Sequence, residues 1–452
     1  MTLISEGTSE GVHHLTRSHT RTEVIAGITT FFTMSYIVIV NPSILSTSGT
    51  GMPFSGVLTA TVLVCASMTL LMGLYAKLPY GVAPGMGLNA FFAYTVVLQE
   101  QVPWPVALGI VFWAGVLFLL VSVTPLRESI AMAIPDSLRV ATAAGIGLLL
   151  TFIGLKNAGF VASNPATLVG VGPLDHRAAL TLLALGIIVW LKGRPWPARG
   201  VRSAGESTEN PLAFLASIFA VTSIAWIGGW VSRPTQWLSA PDFSSVFLEL
   251  DAVGALQLAL VPTIVTVMMT DLFDSLSTFI GVAKASNLVD RAGRPLNLRR
   301  GLVVDSMATA SAGLFGSSPG TAYVESIAGI RMGGRTGLTA IVTAICFLPC
   351  LFVAPLVASI PPYATSGVLI MVGVAMFQTV RSVDFHRLEV GVPAFATLIL
   401  IPLTFSITQG ILWGFILHLA LFAAAGRHRD VTGGALALAG ISALLLALEH
   451  LY

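Results

Sequence analysis

Long apolar segments follow one another along almost the whole chain, and only short polar loops separate them. Their lengths suit helices that cross a membrane. The pattern predicts about 14 spans, at residues 24–45, 56–76, 84–98, 104–124, 138–157, 178–191, 211–231, 255–283, 298–315, 320–331, 336–357, 364–380, 388–406 and 409–425. A further apolar stretch, 434–450, is open to three placements, since it could cross the membrane, lie at its interface or pack on the bundle.

Two of these segments, 84–98 and 320–331, are too short for ordinary spans, and each begins at a Pro-Gly pair. The two pairs lie 235 residues apart, and each short segment takes the third place in its half of seven spans. We therefore predict two inverted repeats in which an extended approach leads into a half-helix, as at the substrate sites of many transporters. The alternative, two irregular segments without a functional role, stays open.

Composition agrees with a membrane protein, because 55% of the residues are hydrophobic, only 10% are charged, and the mean hydropathy is +0.86. Soluble domains carry roughly 25% charged residues, so this chain could not solvate a globular surface. Most of its surface must face lipid. The net charge of +2 and the scattered arginines exclude a nucleic-acid partner.

Lysine and arginine predict the orientation of the bundle. If the N-terminus is cytoplasmic, 20 of the 23 Lys and Arg residues fall in the loops and tails on the inner side. The three exceptions are Lys156, Arg177 and Arg233. We therefore expect a multi-pass protein of the inner (plasma) membrane with its N-terminus in the cytoplasm.

The polar N-terminal tail contains His13, His14 and His19, but it lacks the order of charges and apolar residues of a cleaved signal peptide. We interpret it as a disordered tail rather than a metal site. The 3 cysteines all lie in apolar runs, which favours packing over a disulfide framework or a metal site. No metal and no cofactor are expected.

Four acidic residues lie inside apolar segments, where a carboxylate costs about 2.5–3.5 kcal/mol on the insertion scale. They are Asp271, Asp274, Asp305 and Glu325. No equal number of cations lies at the same depth, so these acids must face a wet cavity, be protonated, or both. Protonatable buried acids suit a proton-coupled carrier. The alternative, most serious for Asp305, is that an acid only bonds backbone amides at a broken helix.

The positions of these acids predict a substrate site at the two breaks. Asp271 and Asp274 are one turn apart on a helix, so one can face the substrate while the other reaches a neighbouring helix. Glu325 is expected on the second turn of the half-helix that starts at Gly320, opposite Asn89 on the partner half-helix. The helix starts would add backbone and side-chain groups, at Gly85, Gly320 and Thr321. Donors and acceptors side by side suit a flat, neutral ligand.

Motifs for other chemistries are missing from the sequence. It contains no G-x-x-x-x-G-K-S/T loop for ATP, no H-E-x-x-H metal motif and no G-x-S-x-G nucleophile. We therefore expect a secondary carrier rather than an enzyme, although an intramembrane aspartyl-type hydrolase using Asp271 and Asp305 remains an alternative.

Four motifs together resemble the azaguanine-like purine permeases, a branch of the nucleobase/cation symporter superfamily. They are residues 23–36, 83–90, 271–274 and 316–326. The resemblance implies fourteen spans in two inverted repeats of seven, divided into a core domain with the substrate site and a gate domain with a dimer contact. In that family the acids at Asp271 and Glu325 bind the base, and those at Asp274 and Asp305 and the amide at Asn89 are also needed.

The domain boundaries follow from the same resemblance. A tail (1–22) precedes the core (23–125 and 251–358) and the gate (126–250 and 359–426), and 427–452 has no assigned place. The implied activity is proton-coupled uptake of adenine, guanine or hypoxanthine by an elevator-like movement of core against gate. A carrier of the same architecture for a pyrimidine or an inorganic anion is the nearest alternative.

Overall fold

Helices make up most of the computed structural model, which describes residues 20–124, 135–194, 210–286, 288–290, 295–427 and 431–449. The three histidines of the N-terminal tail lie outside the described residues. The helices are α1 (Thr20–Met34), α2 (Ile37–Leu45), α3 (Phe54–Leu71), α4 (Met86–Ala90), α5 (Trp104–Val123), α6 (Asp136–Asn157), α7 (His176–Lys192), α8 (Ala213–Ile227), α9 (Val261–Ala285), α10 (Leu298–Phe315), α11 (Ser326–Arg331), α12 (Gly337–Phe347), α13 (Ala354–Ala358), α14 (Pro362–Phe377), α15 (Leu388–Thr404), α16 (Ile407–Ala424) and α17 (Gly433–Glu449). The strands are β1 (Val82–Pro84), β2 (Val161–Asn164), β3 (Leu168–Val171) and β4 (Gly320–Ala322).

Every predicted span coincides with a helix or half-helix of the structure. Among the described residues, 7 helical segments are long and apolar enough to cross a membrane, and shorter apolar helices occupy four of the remaining predicted positions, at α4, α8, α12 and α15. Several spans are composite, since α1 and α2 together form the first one, and π-helical turns extend α3 and α4. The predicted all-α, multi-span architecture is confirmed.

The two broken segments meet each other inside the bundle. Strand β1 pairs antiparallel with β4, so that Val82 lies opposite Ala322 and Pro84 lies opposite Gly320. The Gly85 N–H extends this pairing by donating to the Pro319 carbonyl at 2.8 Å. Backbone groups that a broken helix leaves open in an apolar environment are thus satisfied by the other repeat. The short strands and half-helices expected at spans three and ten are confirmed.

The most extensive helix contacts fall into two groups, one formed by α1–α5 with α9–α13 and the other by α6–α8 with α14–α16. Small residues allow the closest approaches, as in many membrane bundles. A Cβ atom added to Gly115 of α5 would lie 2.2 Å from the Ala310 nitrogen of α10, and one on Gly313 of α10 would lie 2.7 Å from the Leu108 carbonyl. The assignment of these two groups to a core and a gate domain, and the residue boundaries of those domains, stay predictions.

One element was not predicted, a hairpin of β2 and β3 between α6 and α7. Its turn is closed by the Asn164 side chain, which accepts from the Ala166 N–H at 2.8 Å. Leu168 and Val171 are exposed. Because the hairpin buries no continuous face, it lacks the alternation of apolar and polar residues that would have indicated it.

The last helix, α17, packs against α16. Its buried residues recur at helical spacing, at Ala435, Ala439, Ser442 and Leu446. Such a stripe is typical of a helix with one face on a bundle. The segment therefore packs on the bundle through this face.

Candidate functional site

Asp271 lies on α9 and is fully buried. Its Oδ2 atom accepts a hydrogen bond from the Thr309 hydroxyl at 2.5 Å, and that hydroxyl also lies 3.0 Å from the Gly320 carbonyl. Its Oδ1 atom is buried and has no hydrogen-bond partner within the described part of the chain. Because buried polar atoms are almost always paired, this oxygen is a candidate ligand contact beside the break at Gly320.

Asn89 provides a second open acceptor. It lies on α4 and is fully buried, and its Oδ1 atom also lacks a partner among the described residues. Gly85 next to this half-helix is already engaged, because its N–H donates to Pro319. Gly85 therefore holds the two breaks together, whereas the Asn89 side chain keeps an acceptor for another molecule.

Asp305 of α10 supports the broken segment itself. Its Oδ1 atom accepts from the Ala322 N–H at 2.6 Å, and its Oδ2 atom accepts from the Ser275 hydroxyl. The Ser275 hydroxyl also lies 3.1 Å from that of Thr321. Both carboxylate oxygens are thus occupied by groups that fix β4. Of the two roles left open by the sequence, these contacts favour the structural one for Asp305.

Glu325 lies at a different point of its segment than predicted. Because residues 320–322 form a strand, the half-helix starts only at Ser326, and Glu325 is its N-cap residue rather than part of its second turn. Its Oε1 atom accepts a hydrogen bond from the Tyr36 hydroxyl at 2.6 Å. Tyr36, at the junction of α1 and α2, therefore belongs to the site, although only its place at the end of the motif 23–36 pointed to it.

Asp274 faces a cavity between the two helix groups. This cavity, of about 40 Å³, is lined by Asp274, by Gly87 and Leu88 of the half-helix α4, and by Arg139 and Thr142 of α6, among others. A volume of this size can hold water. Asp271 thus contacts the neighbouring helix α10, whereas Asp274 faces a space that water can enter.

Two further groups around the breaks were missed by sequence reasoning. The Asn41 amide donates to the hydroxyls of Thr61 at 2.8 Å and Ser317 at 3.1 Å, and its carbonyl accepts from Ser318 at 3.0 Å. The Tyr323 hydroxyl donates to the Pro84 carbonyl at 2.5 Å. Polar residues in an apolar span were the available signal, since they commonly join membrane helices.

These contacts predict different outcomes for two substitutions of Asp305. Asp305→Ala leaves the Ala322 N–H and the Ser275 hydroxyl without their acceptor, and should destabilise the protein by about 1–3 kcal/mol. Asp305→Asn keeps one acceptor for Ala322 and gains a donor for Ser275, so it should fold nearly as well as the wild type. Thermal unfolding of the purified protein in detergent measures both. Ser306→Ala, a neighbouring loss of one hydroxyl, is the control, and an Asp305→Ala protein as stable as that control would contradict the structural role.

The chain matches the model of the family described as "Permease family" over residues 21–413. The chain belongs to this family. The adenine permease AdeP of Escherichia coli is 41% identical to this permease over 413 residues, which cover 91% of this chain and 89% of AdeP. The guanine/hypoxanthine permease PbuO of Bacillus subtilis is 37% identical over 425 residues, covering 92% of this chain and 95% of PbuO. The resemblance to purine permeases that the motifs indicated is confirmed.

The fold of the permease is also that of a solved transporter. The transmembrane domain of the cyanobacterial bicarbonate transporter BicA superimposes with a TM-score of 0.60, covering 88% of this chain and 98% of that domain. The sequences are only 18% identical, so this likeness concerns the fold alone. The permease is therefore a multi-pass membrane protein of this transporter fold.

Proposed function

We propose that the permease is a secondary active transporter that takes up purine nucleobases, namely adenine, guanine or hypoxanthine, together with protons. The observation that carries the proposal is the likeness to permeases named for adenine and for guanine/hypoxanthine, which covers about nine-tenths of this chain in each case. No cofactor is needed, because the coupled ions would be the energy source.

The chemistry of the site supports a flat ligand rich in N–H donors. Asp271 Oδ1 and Asn89 Oδ1 are buried acceptors without partners among the described residues, and Glu325 contributes a carboxylate of which Tyr36 occupies one oxygen. Guanine carries a ring N–H and an exocyclic amino group on adjacent positions of one edge, whereas adenine offers an exocyclic amino group and hypoxanthine offers ring N–H groups. A carboxylate or amide oxygen without a partner can accept such hydrogens.

An inorganic-anion carrier and an aspartyl-type hydrolase both suit these residues less well than a purine carrier does. An inorganic anion would meet the carboxylates of Asp271 and Glu325, which would repel it. An aspartyl-type hydrolase would need a second free carboxyl group beside Asp271, whereas both oxygens of Asp305 accept hydrogen bonds from Ser275 and Ala322. A pyrimidine also carries N–H donors that these acceptors can bind, so competition between bases must separate a pyrimidine carrier from a purine carrier.

We further propose an elevator-like movement of the core (23–125 and 251–358) against the gate (126–250 and 359–426), in a plasma-membrane dimer formed by the gate. The position of Asp274 supports this, because it faces a cavity bounded by α4 of the core and α6 of the gate. An acid that water can reach at this boundary can exchange its proton when the core changes position. The cytoplasmic N-terminus is part of the same proposal.

Uptake of labelled adenine and hypoxanthine in cells without other purine transport tests the coupling. We expect uptake to continue when sodium is replaced by choline and to collapse when a protonophore is added. Counterflow of labelled base in proteoliposomes, which needs no ion gradient, should persist in the presence of the protonophore. Sodium-dependent uptake that survives the protonophore would refute proton coupling, and an absence of counterflow with every purine would refute purine transport itself.

A further inference from the structure

A cavity of about 640 Å³ opens at one end of the gate helices, away from the four acids of the candidate site. It lies where α6 ends, α7 and α14 begin, and the chain leaves α8. Five segments cross the bundle between Thr20 and the end of α6, so this cavity is on the opposite side from the start of α1. With the predicted cytoplasmic N-terminus, it opens to the outer side.

Two cationic side chains line this cavity, on the side of the membrane where the orientation rule predicts few. Lys156 and Arg177 line it, and they are two of the three Lys and Arg residues that the orientation rule leaves on the outer side. Within the described part of the chain, no carboxylate lies within ion-pair distance of Lys156, whereas Arg177 lies 3.5 Å from Asp175. The Arg177 side chain remains 55% exposed. Among the described residues, Asp175 is therefore the one carboxylate that pairs with either cation of this cavity.

Aromatic contacts fix the position of His176, which also lines the cavity. The His176 ring stacks on Trp230 with ring centroids 4.6 Å apart, and its edge meets the Tyr363 ring at 5.9 Å. Tyr363 also lines the cavity and is only 7% exposed, and its hydroxyl has no hydrogen-bond partner among the described residues. Since Tyr363 lines the same cavity as Lys156 and Arg177, its unpartnered hydroxyl is a ready donor to an acceptor that enters the cavity.

The direction of helix α7 adds positive electrostatic potential at the cavity. The 17-residue helix α7 begins at His176, so its positive N-terminal end is at the cavity. The Asp175 side chain caps one N–H of this helix, at Arg177, at 2.9 Å. Anions are commonly bound where a helix N-terminus, an arginine and a lysine converge, and a phosphate group has enough acceptor oxygens for all of them.

We propose that this cavity binds a phosphate group at the outer face of the permease, held by Lys156, Arg177 and the Tyr363 hydroxyl. Two sources present that group there: the headgroup of an anionic phospholipid, since α7 has exposed apolar residues, and a phosphorylated compound in solution. The site lies on gate helices and is separate from the purine site. It does not depend on which base is carried.

Three probes test the proposal on the purified full-length protein: phosphatidylglycerol in detergent micelles, inorganic phosphate, and adenosine monophosphate. We expect saturable binding of at least one of them. Lys156→Gln/Arg177→Gln should weaken it about tenfold or more, because two charge-assisted contacts are lost. Tyr363→Phe should cause a smaller loss. Arg233→Gln removes the third outer cation, which does not line the cavity, and should bind like the wild type.

Binding of phosphatidylglycerol alone would assign the site to lipid, and binding of inorganic phosphate or the nucleotide would assign it to a soluble ligand. A protection experiment on the wild type covers the case in which the double variant does not fold. A saturating probe should slow acetylation of Lys156 but not of the exposed Lys77 on the other side. Equal binding by wild type and double variant, no saturable binding of any probe, or no protection of Lys156 would overturn the proposal.

Discussion

Asp271→Asn should abolish purine uptake while leaving the protein inserted in the membrane. The substitution keeps the size of the side chain but replaces one carboxylate oxygen by an N–H₂ donor. In one orientation of the new amide, Thr309 donates to the Gly320 carbonyl instead and the site loses its negative charge. In the other, Thr309 keeps its bond to the oxygen at the Oδ2 position, and the new amide hydrogens occupy the position of Oδ1, which is buried and open. A substrate N–H would then meet a donor instead of an acceptor. We expect substrate affinity to fall roughly a hundredfold or more, because an ionic hydrogen bond is lost and a buried donor is left unpaired.

Two measurements separate this effect from a folding defect. Fluorescence-detected size exclusion should give the same monodisperse peak for Asp271→Asn and for the wild type, while labelled adenine uptake falls to background. Asp384→Asn, an exposed aspartate in the loop before α15, is the control and should transport normally. Wild-type uptake by a correctly inserted Asp271→Asn protein would remove this residue from the substrate site.

The positions of the membrane spans and of their breaks could be predicted because the local sequence determines them. Apolar length decides where a span begins and ends, and a Pro-Gly pair interrupts a helix whatever its neighbours are. The two breaks were therefore predicted at residues 84–85 and 319–320, and β1 and β4 now mark them. The buried acids followed from the same reasoning, because a carboxyl group in an apolar run is costly wherever the run packs.

What could not be predicted depends on contacts between distant segments. Glu325 was placed on a second helical turn because a helix was assumed to start at Gly320. Pairing with residues 82–84 instead draws residues 320–322 into a strand and moves the helix start to Ser326. Its partner Tyr36 lies 289 residues away, so no local pattern could join them. The same holds for Asp305, whose acceptor role toward Ala322 exists only once β4 is formed.

Glu325→Gln should change which bases bind as well as how tightly. The Tyr36 hydroxyl donates to Oε1 of Glu325 at 2.6 Å, so in the variant it would hold the amide oxygen and turn the N–H₂ group towards the ligand. A purine edge with two adjacent N–H donors would then face one further donor. An unmatched polar group costs about 1–3 kcal/mol, so the affinity should fall roughly tenfold to a hundredfold. A base with a carbonyl at that edge should lose less, because it can accept from the new amide.

Combining substitutions of Tyr36 and Glu325 tests this prediction more sharply than Glu325→Gln alone. Tyr36→Phe removes the donor to Oε1 but leaves the carboxylate charged, so the affinity should fall less than in Glu325→Gln. In Tyr36→Phe/Glu325→Gln the amide is free to rotate, which should restore part of the affinity, and the double-mutant cycle should show coupling between the two residues. Competition binding of adenine, guanine, hypoxanthine and uracil to the purified proteins measures all of these effects. If Glu325→Gln binds every base as tightly as the wild type does, Glu325 does not contact the base, and its bond with Tyr36 serves only to join α11 to the first span.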